Sequence, residues 1–185
     1  MSHLASILKL GHRSTPKVLG VRLREFCVGH ALALHRLDNP VISGGEVTVP
    51  DLIEAVTVCS QSPIEAVKTI NSPFRWLLIK LWSFRIRKMN LVVEMLKFEK
   101  WIQSSIDAPE VLSSGDKKPK KLVMPWIERL VIAILNLGIS EETALNMSVS
   151  DAERFVMAHA EMHGQVELWS DEQNALWEYA ASHRN

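Results

Sequence analysis

The chain has 185 residues, of which 47% are hydrophobic and 23% charged. That balance is ordinary for a globular protein and excludes wholesale disorder, and the length allows one large domain or two small ones. Its 21 Lys/Arg offset 21 Asp/Glu, for a formal net charge of +0, so bulk attraction to nucleic acid is not implied.

The charge is unevenly placed. Residues 73–121 hold eleven Lys/Arg against five Asp/Glu, net +6, and residues 122–185 hold three against ten, net −7. A basic middle and an acidic last third suit two parts that attract each other, or two surfaces for different partners. The two cysteines, Cys27 and Cys59, fall in apolar, helix-like segments, which predicts buried free thiols in a reducing compartment. The N-terminus lacks the apolar run of a secretory signal. The most hydrophobic stretch, Phe74–Phe84, is short of the ~20 apolar residues of a membrane span and contains Arg75 and Lys80. These features predict a cytoplasmic protein without a membrane partner.

Residues 1–21 show no clear period and suit a flexible arm or a short extended segment. From Arg22 to Leu37 the residues Leu23, Phe26, Cys27, His30, Leu34 and Leu37 recur at helical spacing, and Asp38-Asn39-Pro40 stops the helix. Residues 41–49, with Gly44-Gly45 between two β-branched runs, fit either a small β-hairpin or a plain loop. Thr48 to Ser60 reads as a helix with Pro50 and Asp51 in its first turn and Leu52, Ile53, Val56 and Cys59 as its buried stripe. Ser62-Pro63 opens a further helix ending near Asn71. Ser72-Pro73 opens the longest segment, to about Ser104, with a break near Asn90. Its first half is apolar nearly all round and its second half amphipathic. Residues 107–121, with two prolines and four lysines in five positions, are the expected linker.

Beyond it, Pro125 suits a first turn, with Trp126, Leu130, Val131, Ile134 and Leu135 as the buried face. Gly138 is placed as a C′ residue with positive φ. Ser140 caps a short helix through Leu145. Ser150 to Glu153 reads as a capping box, with Phe155, Val156 and Met162 buried behind it and Gly164 ending the helix. A second box, Ser170 to Gln173, starts a last helix with Leu176, Trp177 and Ala180. The expected fold is mainly α: a multi-helix bundle in two parts, residues 1–106 and 122–185, joined by the 107–121 linker.

No catalytic constellation accompanies this grammar. Gly44-Gly45 lacks the later glycine and the Lys-Ser/Thr of a phosphate loop, and no nucleophile elbow occurs. His159 and His163 are four apart on one helix, but Ala160 stands where a zincin motif needs Glu. They read as surface or half-buried histidines near a helix C-terminus, where positive charge is favoured. Cys27 and His30 lie on an apolar face and read as core. Arg85, Arg87 and Lys88 with Lys117–Lys121 form a basic region whose aromatics keep helical, core-like spacing. No enzyme, cofactor or metal centre is expected. Six Trp and seven Met are more than folding alone requires, and both residue types serve adaptable binding surfaces.

The run Pro125, Trp126, Leu130, Leu137, Gly138, Ser140, Leu145, Met147, Ser148 and Asp151 resembles a pattern of small phage tail assembly chaperones. There a Trp-led helix ends in Leu-Gly, a capped short helix follows, and a Met-Ser pair leads into an acidic-capped helix. The resemblance covers about 30 of the 185 residues. It departs from the family where Ala144 or Leu145 stands, since many members carry an aromatic there. It implies a non-catalytic role in tail morphogenesis: covering the apolar-rich tape-measure protein until the tube assembles. The partner implied is therefore the tape-measure or another tail protein, with self-association a further expectation. Trp76, Trp82, Trp126, Trp169 and Trp177 are the expected contact residues. The competing expectations are a small structural virion protein of the tail or head completion, and a helical regulator that binds nucleic acid through its basic middle.

Overall fold

Seven consecutive residues, Val28 to Leu34, are buried. They belong to helix α1, Val28–Arg36, whose run VGHALAL is small or apolar apart from His30. Such a helix must be covered all round, and the rest of the fold is arranged to do so. The computed structural model describes residues 15–69, 86, 89–106, 111–112, 124–164 and 167–168. Within these, the elements are β1 (Lys17–Val18), β2 (Val21–Arg22), α1, α2 (Pro40–Ser43), α3 (Val49–Ser60), α4 (Pro63–Thr69) and α5 (Leu91–Ser105). They continue with β3 (Val111–Leu112), α6 (Trp126–Asn136), α7 (Glu141–Asn146), α8 (Val149–Met162) and β4 (Glu167–Leu168). The fold is mainly α. Helix α1 packs against α2, α3, α4, α6, α7 and α8.

The small antiparallel hairpin lies at residues 17–22, pairing Lys17 with Arg22 and Val18 with Val21. Its turn, Leu19-Gly20, has positive φ at both positions, 49° and 78°, the combination that matches strand twist in a two-residue hairpin. Residues 41–49 do not form a hairpin. Pro40–Ser43 is a single helical turn capped by Asn39, whose side chain accepts from the Val41 amide. Proline at N1 already has the φ of a helix start, and this decides against a strand.

Helix α1 also starts later than its spacing predicts. Residues 23–26 lie outside the helix, with the Leu23 amide bonded to the Pro16 carbonyl at 3.0 Å and the Arg24 amide to the Cys59 carbonyl at 2.9 Å. Leu23 and Phe26 are buried all the same. Strand-like backbone and helix-like spacing both bring an occasional pair of residues to one face, so the pattern did not separate them.

Helix α3 matches expectation: Thr48 and Asp51 cap it reciprocally, and Leu52, Ile53, Val56 and Cys59 are buried. Ser62 and Glu65 do the same for α4. Asn90 caps α5, at the expected break. Phe98, Trp101, Ile102 and Ser105 form its buried stripe at three and four. Trp101 meets Phe26 edge-on at 5.7 Å and Phe98 at 5.5 Å between ring centroids.

Buried residues on the two sides of the expected linker share one hydrophobic cluster. Ile127, Leu130, Ile134, Ala144, Leu145, Val149 and Ala152, beyond residue 121, join the same hydrophobic cluster as Phe26, Ala31, Leu52 and Trp101. The halves are also tied through backbone: the Val28 amide donates to the Met147 carbonyl at 2.9 Å and the Val149 amide to the Phe26 carbonyl at 3.3 Å. Residues 111–112, inside the expected linker, pair antiparallel with 167–168. Helices α6, α7 and α8 cover α1 together with α2, α3 and α4. The basic runs 85, 87–88 and 117–121 lie outside the described residues, as does the expected helix from Ser170.

Candidate interaction surface

The C-terminal helices are built from their caps. Ser140 accepts from the Thr143 amide and starts α7. Ser148 accepts from the Asp151 amide and donates to its carboxylate at 2.6 Å, which starts α8. The capping pair is thus Ser148 with Asp151, two residues before the expected Ser150–Glu153 box. Ser150 is buried in the first turn instead. Gly138 and Gly164 close α6 and α8 with φ of 81° and 64°, as expected of C′ glycines.

What these helices bury is narrower than their hydrophobicity suggests. Helix α6 buries Ile127, Leu130 and Ile134, one stripe at three and four. Trp126 and Val131 are partly buried against the core, and Leu135, expected inside, is exposed together with Ile132. In α8 only Val149, Ser150 and Ala152 are buried. Phe155 is 43% exposed and Met162 78%, against the expectation that both lie inside; Val156 is partly buried. The buried residues of α8 thus all lie at its start. Met124, before α6, is exposed as well. Helices α6 and α8 pack on each other, so these side chains sit on neighbouring elements.

A second apolar strip lies on α5. Val92 is 69% exposed and Leu96, one turn on, 59%, with Val93 beside them. The signal for both surfaces was in the sequence: α5 and α6 carry more apolar positions than one packing face can use.

Of the five expected contact tryptophans, the described residues include Trp126 alone, and it leans on the core. Trp76, Trp82, Trp169 and Trp177 lie outside the described residues. Trp101, which was not singled out, is a core residue.

An open cleft of about 530 Å³ is lined by residues including Arg22, Arg24, Cys27, Ser60, Pro63 and Asn146. Its arginines are engaged in the scaffold, Arg22 Nε donating to Thr15 Oγ1 at 3.0 Å and Arg24 Nε to the Ser60 carbonyl at 3.3 Å. The thiol lining it, Cys27, is pushed up to about 12 by burial and by the nearby Glu25 and Asp151 carboxylates. It is protonated at neutral pH and is no nucleophile. Cys59, fully buried, is raised too, by burial first and then by Cys27. Both thiols are free.

His30 is a core residue with a fixed tautomer. Nδ1 accepts from the Cys27 amide at 3.2 Å, so the proton sits on Nε2, 3.0 Å from the Gln61 carbonyl. Burial lowers its pKa, partly opposed by carbonyl groups of Gln61 and Glu25 and helped by the Arg24 charge. Its chemistry is used up in joining α1 to the end of α3.

No group of three or more His, Cys, Asp or Glu side chains suited to holding a metal ion occurs among the described residues. None of their helices is long and apolar enough to cross a membrane. Compared with known proteins, the chain matches no family model, and neither a curated protein nor a solved structure shows significant similarity to it.

Proposed function

We propose that the protein is a non-catalytic binding protein that covers apolar helical segments of a protein partner, as a phage tail assembly chaperone covers the tape-measure protein. The observation that carries this reading is the apolar surface on α6 and α8. Met124, Ile132, Leu135 and Phe155 are exposed, and Ile132 and Leu135 fall within the run whose capping pattern resembles those chaperones. Exposed apolar side chains that form one contiguous patch mark a protein-binding face, and this reading takes those of α6 and α8 as such a patch. An amphipathic helix laid against such a face buries its own stripe, and many weak copies along a long helix bind together by avidity.

Co-expression with a tail tape-measure protein encoded in the same genome tests this. The expected result is a soluble tape-measure protein that co-purifies with the chain. The paired variant Ile132→Ser with Phe155→Ser should fold normally, since both side chains are exposed, and should lose most of that recovery. A tape-measure protein that aggregates equally with and without the chain overturns the reading. Finding the chain in purified virions at fixed copy number would replace it with a structural role.

A further inference from the structure

The last turns of α8 carry two imidazoles, His159 and His163, whose Nε2 atoms stand 3.2 Å apart at the exposed end of the helix. The ring centroids are 4.3 Å apart and the planes are inclined at 48°. The centroids are farther apart than the nitrogens, so the rings splay outward from the Nε2 pair. At 3.2 Å the two ring nitrogens are close enough for one ion to reach both. Without a metal, the same separation serves a hydrogen bond between two neutral rings.

We propose that His159 and His163 form a two-nitrogen clamp for a borderline divalent cation of the zinc or nickel class. An ion at ~2.1 Å from both nitrogens would subtend about 100° between them, within the range of about 90° to about 109° set by octahedral and tetrahedral coordination. No third His, Cys, Asp or Glu joins the pair among the described residues, so water fills the remaining positions and the ion stays exchangeable. The place on the helix helps as well. Met162 is the last residue of α8 and His163 its C-cap, where the macrodipole favours a cation. A clamp across one turn also holds that turn together against fraying. This inference does not rest on the proposed partner.

The test is titration of the full chain with zinc chloride near neutral pH, by calorimetry and by thermal unfolding, for the wild type, His159→Gln and His163→Gln. Both side chains lie on the exposed end of α8, and unfolding midpoints without zinc will confirm that the variants fold. The wild type should take up one zinc per chain, with a midpoint that rises as zinc is added. Each single variant should lose both the saturable heat and the zinc-dependent rise, because one imidazole cannot chelate. A wild type that takes up no zinc overturns the proposal. So does either single variant that binds like the wild type, since uptake would then lie at other histidines.

Discussion

Gly29 of α1 lies directly against Pro63 of α4. A Cβ at Gly29 would stand 2.8 Å from Pro63 Cβ, 2.9 Å from its carbonyl oxygen and 3.1 Å from the carbonyl of Leu145 in α7. Three helices therefore meet at a position with no side chain, and it is this absence that lets α1 sit so deeply among its neighbours. In an exposed helix, Gly→Ala gains about 1 kcal/mol. Here the added methyl meets backbone that cannot step aside. Gly29→Ala is expected to destabilise the fold by about 2 kcal/mol, the scale of core overpacking, as read by urea unfolding. A neutral or stabilising result would mean that α1 and α4 are not in this contact.

His30 should make the fold acid-sensitive. Its folded pKa lies below the ordinary 6.5, so the native state favours the neutral ring. Its contribution to stability is complete above 6.5 and is lost as pH falls below that value towards the folded pKa. Protonation would also put a second N–H against the Cys27 amide. His30→Gln should lower stability at neutral pH and flatten the fall between pH 6.5 and the onset of general acid unfolding. Denaturation series at matched ionic strength will show whether the two curves converge.

The thiols should be silent in the native protein. Cys27 is held at about 12 and Cys59 is buried entirely, so neither offers thiolate near neutral pH. A disulfide-exchange reagent at mildly alkaline pH is expected to find both thiols only after denaturation, with native modification limited by the rate of opening. Fast labelling of Cys27 in the native state would show that the cleft beside it opens readily.

Glu153 in α8 is the reverse of His30. Its Oε2 is buried with no hydrogen-bond partner among the described residues, and desolvation raises its pKa. A raised carboxyl pKa favours the fold at low pH, where the group is protonated, and loses that contribution as pH rises through the folded value. Glu153→Gln should therefore raise the unfolding midpoint at neutral pH. The gain should vanish below the ordinary carboxyl pKa of about 4.3. An equal gain at both pH values would point to packing rather than charge.

Local chemistry was legible residue by residue. Thr48 with Asp51 and Ser62 with Glu65 announce helix starts, Ser140 caps α7, and Gly138 and Gly164 announce stops, because each satisfies backbone groups or φ demands within a few positions of itself. The misreadings share one cause. Ser148 and Ser150 are both competent caps two residues apart, and it is the Ser148 hydroxyl that takes the Asp151 amide. Leu23 to Phe26 match a helical face, yet they stay outside the helix, where Pro16 and Cys59 take the Leu23 and Arg24 amides.

The candidate surface was half visible. Excess apolar residues on α5 and α6 were plain, but the side left open was not, since periodicity gives a face and not its occupant. Leu135, Phe155 and Met162 looked like core and are exposed.

By itself the sequence determined the helical class, most of the helix caps, the free buried cysteines and the surplus of apolar side chains. These follow from interactions between near neighbours and from composition. Only the tertiary structure decided that α1 is the shared centre, that residues on both sides of 107–121 form one core, and that His159 and His163 converge while Cys27 and His30 are sealed in. Those outcomes depend on which helix lies against which, and packing between distant segments leaves no periodic trace in either one.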